Sequence, residues 1–264
     1  MGLTFIERCA VEDEGEGPAV VCVHGLGGSS NTFTPLMPAL ARHRVVRIDL
    51  PGSGRSHRAE APLSMARYAE LVLSACARLN ITRAHFVGQS MGNIVLQHVT
   101  VQAPKLVASL ALFGPLIAPP DAARSAIRAR GEKARGEGAA GMHEIALALL
   151  NASISADTRA RLPLAVAFVR ESLMRQDPDG YARSCFALAD APAAAVETIE
   201  APVLLVTGDE DIVAPPQAVR VMAEKLHRAR SVRVVVLPRC GHWTPVERPE
   251  ECARELRGFL EGQR

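Results

Sequence analysis

The chain has 264 residues, of which 48% are hydrophobic, so it is long and apolar enough to bury a large core. Its 30 basic and 28 acidic residues give a net charge of +2, and the basic residues are scattered, which argues against a nucleic-acid partner. The first residues lack a signal-peptide pattern and no apolar run reaches membrane-spanning length, so we expect a cytoplasmic protein without a membrane partner.

The six cysteines occur singly along the chain. Their spacing contains neither a C-x-x-C pair nor a pattern of zinc ligands, so we expect most of them to be reduced core residues and predict no metal site. The sequence leaves a homo-oligomer open. The cysteines are Cys9, Cys22, Cys76, Cys185, Cys240 and Cys252.

Strand and helix patterns alternate along residues 1–115. Residues 3–11 have the pattern of an edge strand, and an acidic turn follows at 12–17. The continuous apolar run at 18–23 is typical of a strand covered on both faces. This alternation favours a parallel sheet with right-handed crossovers. The later patterns predict strands at 45–48, 85–87 and 107–113 and helices at 32–41, 64–79 and 90–102.

Residues 116–195 break this alternation, because they form alanine-rich, charged helical patterns without a convincing strand. The alternation then resumes. We therefore predict a core made of residues 1–115 and 196–264, with a helical cap, or lid, inserted at 116–195. The second part of the core has strand patterns at 202–207 and 232–237 and helical patterns at 216–226 and 245–260.

The segment from His85 to Val95 reads as a strand, a sharp turn and a helix, with Ser90 at the turn between Gly88 and Gly92. Such a G-x-S-x-G turn projects a serine hydroxyl from the sheet edge, and its glycines keep side chains out of a crowded backbone. By itself the motif is weak evidence for a nucleophile, since the composition alone gives roughly 0.1 chance matches in a chain of this length. Partners elsewhere in the chain are needed to support a nucleophile here.

Four motifs together resemble the α/β-hydrolase superfamily, over nearly the whole chain. They are His24–Gly27, Asp49–Ser56, Gly88–Gly92 and the pair Gly241–His242. The resemblance is to the serine-nucleophile branch, and most of all to small carboxylesterases and 3-oxoadipate enol-lactonases. It implies an α/β fold with a mostly parallel sheet flanked by helices and a helical cap insertion. Asn93 departs from the commoner pattern, in which glycine often follows Gly92.

A serine hydroxyl is a poor nucleophile unless a base takes its proton and a carboxylate orients that base. In this superfamily the chain order is serine, acid, histidine, which fits Ser90, an acid at 209–211 and His242. The family position, three residues after the strand-ending glycine and shortly before a proline, selects Asp211, with Asp209 as the runner-up. Asp209 and Glu210 otherwise read as solvated loop residues.

The resemblance also implies an oxyanion hole made by the backbone N–H groups of Leu26 and Met91. Met91 opens the helix after the serine, where amide dipoles favour negative charge. We interpret His24 as a residue that shapes its loop by hydrogen bonding rather than as a second base. The glycines of Asp49–Ser56 are interpreted as structural, because the loop lacks the lysine and the longer cradle of a P-loop.

The sequence gives only weak indications of which residues contact the substrate. Trp243, the single tryptophan, follows the predicted base and is either a core residue or a wall of the substrate pocket. A lactone carboxylate would need a cation, for which the cap offers Arg124, Arg128, Arg170 and Arg183. The other candidate pocket residues are Phe33, Leu116, Met142, Phe168 and Phe186.

These observations predict a serine hydrolase that cleaves a small carboxylic ester or lactone through an acyl-enzyme, without a metal or organic cofactor. A carbon–carbon bond hydrolase of ring-cleavage dienoates is an alternative, because enzymes of that group often have tryptophan after the histidine. Haloperoxidase or perhydrolase activity remains open as a side reaction of the same site. A non-catalytic ligand-binding protein on the same fold is the alternative of another class, since fold does not determine function.

Overall fold

The computed structural model describes residues 2–58 and 62–263, which form one eight-stranded sheet and its flanking helices. The ends of the predicted core, residues 1 and 264, lie outside the described residues. The strands are β1 (Gly2–Ile6), β2 (Cys9–Glu14), β3 (Ala19–Val23), β4 (Arg44–Ile48), β5 (Ala84–Gln89), β6 (Val107–Phe113), β7 (Val203–Gly208) and β8 (Val232–Leu237).

The order of the strands in the sheet is β1-β2-β4-β3-β5-β6-β7-β8. β1 pairs antiparallel with β2, and β2 pairs antiparallel with β4. All the remaining pairs are parallel. The predicted α/β fold with a mostly parallel sheet is therefore confirmed, and the carboxyl ends of β3 to β8 meet at one edge.

Helices cover both faces and one edge of this sheet. A 3-10 segment (Ser30–Leu40) follows β3, and the described residues then form nine α-helices: α1 (Met65–Arg78), α2 (Met91–Gln102), α3 (Asp121–Ser153), α4 (Ala156–Arg161), α5 (Pro163–Met174), α6 (Pro178–Ala189), α7 (Pro216–Lys225), α8 (Thr244–Glu247) and α9 (Pro249–Glu261). No described helix combines the length and the apolar character that crossing a membrane requires.

The predicted edge strand at 3–11 is in fact two strands, and this prediction was wrong in its topology. β1 and β2 form a hairpin whose turn residues Glu7 and Arg8 have positive φ angles of 47° and 69°. Such turns are usually marked by Asn or Gly, and the sequence here carries neither signal. As a result β2 extends through Glu14 into the region predicted as an acidic turn.

Two predicted helices differ in detail from the observed ones, and one cap helix is interrupted. Residues 30–40 form 3-10 rather than α-helical turns, consistent with Pro35 and Pro38, which remove backbone donors inside the segment. The closing helix is split into α8 and α9 at Arg248, because Pro249 starts a new helix. The long helix α3 is interrupted at Gly138, whose φ and ψ are 59° and −132°.

Two apolar cores lie on the two faces of the sheet. On β3, Val21 and Val23 point into the first core, whereas Val20 and Cys22 point into the second, as the alternation of a strand requires. The first core also takes side chains from α3, α5 and α6, such as Met142, so these helices bury apolar surface together with the sheet. The second core lies beneath the 3-10 segment and α9.

The helices α3–α6, here called the cap helices, stand between β6 and β7 in the chain and lie against loops at the carboxyl edge of the sheet. Gly180 of α6 is in tight contact with Gly52, and the backbone at Ser153 contacts Gly241. In the described residues no strand interrupts this stretch. That the segment 116–195 acts as a lid over a substrate stays a prediction.

Candidate active site

Ser90 occupies a strained turn between β5 and α2, with φ of 51° and ψ of −120°. A non-glycine residue in this region costs energy and is held there by its surroundings. The flanking glycines are required by space: a Cβ on Gly88 would lie 2.4 Å from Asn93 Oδ1, and one on Gly92 would lie 2.0 Å from the carbonyl of Val23. The motif thus allows the turn to pack tightly against β3 and α2.

The structure brings Ser90, His242 and Asp211 into one hydrogen-bonded chain. Nε2 of His242 lies 2.8 Å from the Ser90 hydroxyl, and Nδ1 lies 2.9 Å and 3.1 Å from the two carboxylate oxygens of Asp211. The histidine and the aspartate are buried, while the serine is half-buried. A neutral His242 that donates from Nδ1 to Asp211 can accept the serine proton at Nε2.

Asp211 is held as a carboxylate by its contacts. Burial alone would raise its pKa, but His242 and the backbone N–H groups of Ala214 and Val213 bring the pKa below the usual value. Both amides lie 2.8 Å from Oδ1. The neighbouring acids point elsewhere: Asp209 accepts from the amide of Cys240 and Glu210 from that of Ala156. Among the three acids, geometry therefore singles out Asp211.

The Gly25–Gly28 turn follows β3 and presents the N–H of Leu26. The turn closes through a 3.0 Å bond from the amide of Gly28 to the carbonyl of Gly25, and Gly27 has a φ of +78°, which only glycine adopts readily. Within the described residues, neither Leu26 N–H nor Met91 N–H donates to another protein group. Their use as an oxyanion hole stays a prediction.

His24 shapes this turn, as the sequence predicts. It is fully buried; the amide of Leu50 donates to its Nε2 at 2.9 Å, and its Nδ1 lies 2.7 Å from the carbonyl of Gly25. His24 is therefore neutral and carries its proton on Nδ1, consistent with a pKa that burial lowers below the usual value. Because the carbonyl and N–H of one peptide point in opposite directions, holding the Gly25 carbonyl also directs the Leu26 N–H.

The loop from Asp49 to Ser56 is held by hydrogen bonds within the protein, as its structural interpretation expects. The fully buried Asp49 accepts from the amide of Ser30 at 2.6 Å and from the backbone and guanidinium of Arg55 at 3.0 Å each. Burial raises the pKa of Asp49, but the nearby His24 together with these donors brings it below its usual value. Gly54 is needed here because a Cβ would lie 2.5 Å from Asp49 Oδ2.

Glu247, which the sequence analysis did not identify, holds the loop that carries His242. Its buried carboxylate accepts from the amides of Gly241 and Trp243, on either side of the histidine, at 3.0 Å each. It also accepts from the amide of Ser155 at the start of α4, at 2.9 Å. One side chain therefore joins the histidine loop to the cap helices. The available signal in the sequence was an acidic residue five positions after the histidine, and this spacing alone does not indicate a role.

Three further residues complete the packing around the site. Gly114 has a φ of +56°, and a Cβ there would lie 2.9 Å from the His242 ring. Gln89 donates to the carbonyl of His242 at 3.2 Å. Asn93, the departure from the common motif, donates to the carbonyls of Phe113 and Gly114 at 2.8 Å and 3.2 Å and so ties α2 to the end of β6.

The predicted pocket residues are scattered through the structure. Phe33 is fully buried in the second core, which does not support its prediction as a pocket wall. Trp243 and Met142 are buried in the first core. Phe186 is half-buried, stacks under the Arg135 guanidinium at 4.7 Å and belongs to the contact between α3 and α6. The half-buried Leu116 and Phe168 pack at the margin of the first core. For these five residues the pocket role stays a prediction.

The chain is similar to known proteins over most of its length. The family described as the alpha/beta hydrolase fold matches residues 18–249. The chain is 24% identical over 253 residues to an (E)-2-((N-methylformamido)methylene)succinate hydrolase of Acinetobacter baylyi, covering 94% of this chain and 92% of that protein. It is 30% identical over 259 residues to a dihydrolipoyllysine-residue acetyltransferase component of the acetoin cleaving system of Pseudomonas putida, covering 92% of this chain but only 64% of that longer protein.

Solved structures extend the likeness over the whole fold. A thermophilic esterase from Thermogutta terrifontis, solved with malate bound, superposes with a TM-score of 0.90 at 25% identity, over 97% of this chain and 93% of that one. The enol-lactonase of Burkholderia xenovorans LB400 superposes with a TM-score of 0.87 at 26% identity, over 98% and 100%. With the family match spanning most of its length, the chain belongs to the α/β-hydrolase fold family.

Proposed function

We propose that this hydrolase cleaves a carboxylic ester or lactone by an acyl-enzyme mechanism. The observation that carries the proposal is the hydrogen-bonded chain in which His242 bridges Ser90 and Asp211, at 2.8 Å and 2.9 Å. The esterase and the enol-lactonase among its structural relatives support the same class of substrate.

In the first half of the reaction the Ser90 oxygen attacks the substrate carbonyl while its proton moves to Nε2 of His242. The carbonyl oxygen takes up the electron pair and is stabilised by the Leu26 and Met91 N–H groups. The carbon–oxygen bond of the ester then breaks, and the leaving oxygen receives the proton from Nε2. Asp211 keeps the imidazole oriented and stabilises its charged form throughout.

Water completes the cycle. It attacks the acyl-enzyme carbonyl and gives its proton to Nε2 of His242, and the Ser90 oxygen leaves with that proton to restore the resting enzyme. The products are an acid and an alcohol, or one hydroxy or oxo acid when the substrate is a lactone. The only chemical groups required are those of the protein and water.

The test is the reaction of the purified protein with p-nitrophenyl acetate. We expect a burst of p-nitrophenol of about one per active site when deacylation is the slower step, and steady turnover in either case. Ser90→Ala should lose both, whereas Ser231→Ala, which changes an exposed serine, should keep both. Wild-type turnover by the Ser90→Ala protein would contradict the proposal. A wild-type protein that binds esters without any turnover would favour the non-catalytic class.

A substrate that carries a free carboxylate is the candidate favoured within this class. Arg130 of α3 is half-buried, has no carboxylate within ion-pair distance in the described residues, and its Nε is buried without a partner. The buried Tyr181 lies nearby, with its hydroxyl beside the Cys185 thiol and its ring packed against Gly27. A substrate carboxylate beside the Arg130 guanidinium would supply the missing charged partner.

The other cap arginines are less suited to this role. Arg124, Arg128 and Arg183 already pair with Asp121, Asp190 and Asp179, and Arg170 is exposed. We therefore expect Arg130→Met to lower kcat/KM for ethyl hydrogen succinate by about 10-fold or more, the value of a charged hydrogen bond, while ethyl butyrate is little affected. Equal losses for both esters would contradict a carboxylate subsite. Substrate profiling over esters, enol-lactones and dienoates would then narrow the choice.

A further inference from the structure

Two polar side chains of the cap bind the turn that presents the Leu26 N–H. The hydroxyl of Ser172 donates to the carbonyl of Gly27 at 2.7 Å. The side-chain amide of Gln176 lies 3.2 Å from the carbonyl of Gly27 and 3.2 Å from that of Gly28. Ser172 lies in the last turn of α5 and Gln176 two residues after its end, so the end of this helix is bonded to the Gly25–Gly28 turn.

The geometry of these contacts is well defined. Gln176 is buried, and its Nε2 also lies 2.8 Å from the backbone carbonyl of Ser172, so three carbonyls surround the amide group and fix which atom is the donor. Leu173, between the two donors, packs on the same turn: a Cβ on Gly27 would lie 2.4 Å from Leu173 Cδ2. The end of α5 thus covers the turn with one apolar and two polar side chains.

The core holds the same turn at its other end. His24 Nδ1 is bonded to the carbonyl of Gly25, at the start of the turn, whereas the cap donors are bonded to carbonyls at its end. The Leu26 N–H lies between these two attachments. An N–H that stabilises an oxyanion must stand about 2.7–3.1 Å from it, so a displacement of a fraction of an ångström weakens the effect.

We propose that Ser172 and Gln176 are positioning residues that set the Leu26 N–H for transition-state stabilisation. This inference rests on the proposed ester or lactone hydrolysis. It means that the oxyanion hole is completed by the cap: a movement of α5 away from the core would release the Gly25–Gly28 turn and lower the rate of acylation even with Ser90, His242 and Asp211 in place.

The test uses Gln176→Met, which keeps the length of the side chain without its donor, and Ser172→Ala, each in the full chain. Rates with p-nitrophenyl acetate are normalised to active sites titrated with a fluorophosphonate, so that a smaller folded fraction does not lower the measured kcat. We expect kcat to fall about 10-fold for Gln176→Met and somewhat less for Ser172→Ala, below the 10²–10³ lost with an oxyanion donor itself. KM should change less than about threefold, since the lost effect acts on the transition state.

Two variants serve as controls. Ser172→Thr keeps the hydroxyl and should retain most of the rate. Arg175→Gln changes an exposed residue adjacent to Gln176 and should match the wild type. The Ki of a boronic acid, which mimics the tetrahedral intermediate, should rise in proportion to the loss of kcat/KM. A purely structural contribution to folding would change the melting temperature but neither the normalised kcat nor this Ki.

The outcomes are distinguishable. If the wild-type protein shows no turnover of esters or lactones, the proposed function is wrong and the positioning role is wrong with it. If the wild-type protein turns over and both Gln176→Met and Ser172→Ala keep a normalised kcat within twofold of it, the positioning role alone is overturned. A loss confined to KM would also overturn it.

Discussion

At the scale of single residues, three adjacent acids show how much of the active site can be predicted from the sequence. Asp209, Glu210 and Asp211 are chemically similar, and only the family pattern of glycine and proline spacing favoured the third. In the structure Asp211 is buried against His242, whereas the other two are exposed and bind backbone amides. A burial difference between neighbours in a loop cannot be read from periodicity, because a loop has none.

Replacing Asp211 by asparagine should therefore damage catalysis far more than the same change at Asp209. Asp211→Asn presents an amide to Nδ1 of His242 and favours the wrong tautomer, for which a loss of kcat of about 10³–10⁴ is expected. Asp209→Asn keeps an oxygen to accept from the Cys240 amide, so its kcat should stay within about threefold of the wild type. Steady-state kinetics on p-nitrophenyl acetate measure both. Similar losses at the two positions would contradict the assignment of Asp211.

His24 should make stability depend on pH. Its pKa is lowered from 6.5 in the folded protein, so at intermediate pH the unfolded chain binds more protons. The stability it confers is full above about pH 6.5 and falls as the pH decreases, by up to about 1.4 kcal/mol per pH unit for one proton. His24→Asn should cost about 1–3 kcal/mol at pH 7, because the buried Leu50 N–H loses its acceptor, and should remove this part of the slope.

Urea unfolding at pH 5, 6 and 7 compares the wild type with His24→Asn. His85 also has a lowered pKa, of about 4, and contributes the same slope to both proteins, so the difference between them isolates His24. Equal slopes for the two proteins would show that His24 is not held neutral by the fold.

At the scale of elements, the regular strands were predictable and the irregular connections were not. Continuous apolar runs such as β3 and β7 identified the buried parallel strands, because both of their faces are covered. The β1–β2 hairpin was missed since Glu7 and Arg8 adopt positive φ without glycine or asparagine. The site was predictable where it lies at strand ends, but Gln176 and Glu247 act from the ends of helices, and only the folded chain brings them to the site.

Glu247 links the histidine loop to the start of α4. Its carboxylate accepts three backbone N–H groups, two beside His242 and one at Ser155. Glu247→Gln places an NH₂ group against at least one of these donors, so we expect a loss of about 1–3 kcal/mol in unfolding free energy. We also expect a lower kcat per active site, because the histidine loop is held less firmly.

Glu250→Gln provides the matched control, as Glu250 is exposed at the start of α9 and should change stability by less than about 1 kcal/mol. Thermal unfolding and kinetics normalised by active-site titration measure the two effects. If Glu247→Gln has the stability and the normalised kcat of the control, the carboxylate does not hold the loop.

At the scale of the whole molecule, the cap helices and the sheet share one apolar core. Leu173 and Tyr181 from the cap belong to the same buried cluster as Val21 and Met65 from the sheet and α1. A cluster that crosses the boundary at residue 116 couples the two parts, since opening it would expose apolar surface on both sides. Together with the bonds from Ser172 and Gln176, this favours cooperative unfolding of the whole chain.

The buried cysteines can test this cooperativity. All six are free and buried, and burial raises the pKa of Cys185 in α6 to about 11 and that of Cys22 in β3 to about 12. Neither should react with N-ethylmaleimide in the folded protein, because reaction needs both access and a thiolate. In pulsed labelling followed by mass spectrometry, Cys185 and Cys22 should therefore become modified together as urea increases. Labelling of Cys185 at a urea concentration where Cys22 stays protected would show that the cap helices open independently, since only a local opening exposes one core position without the other.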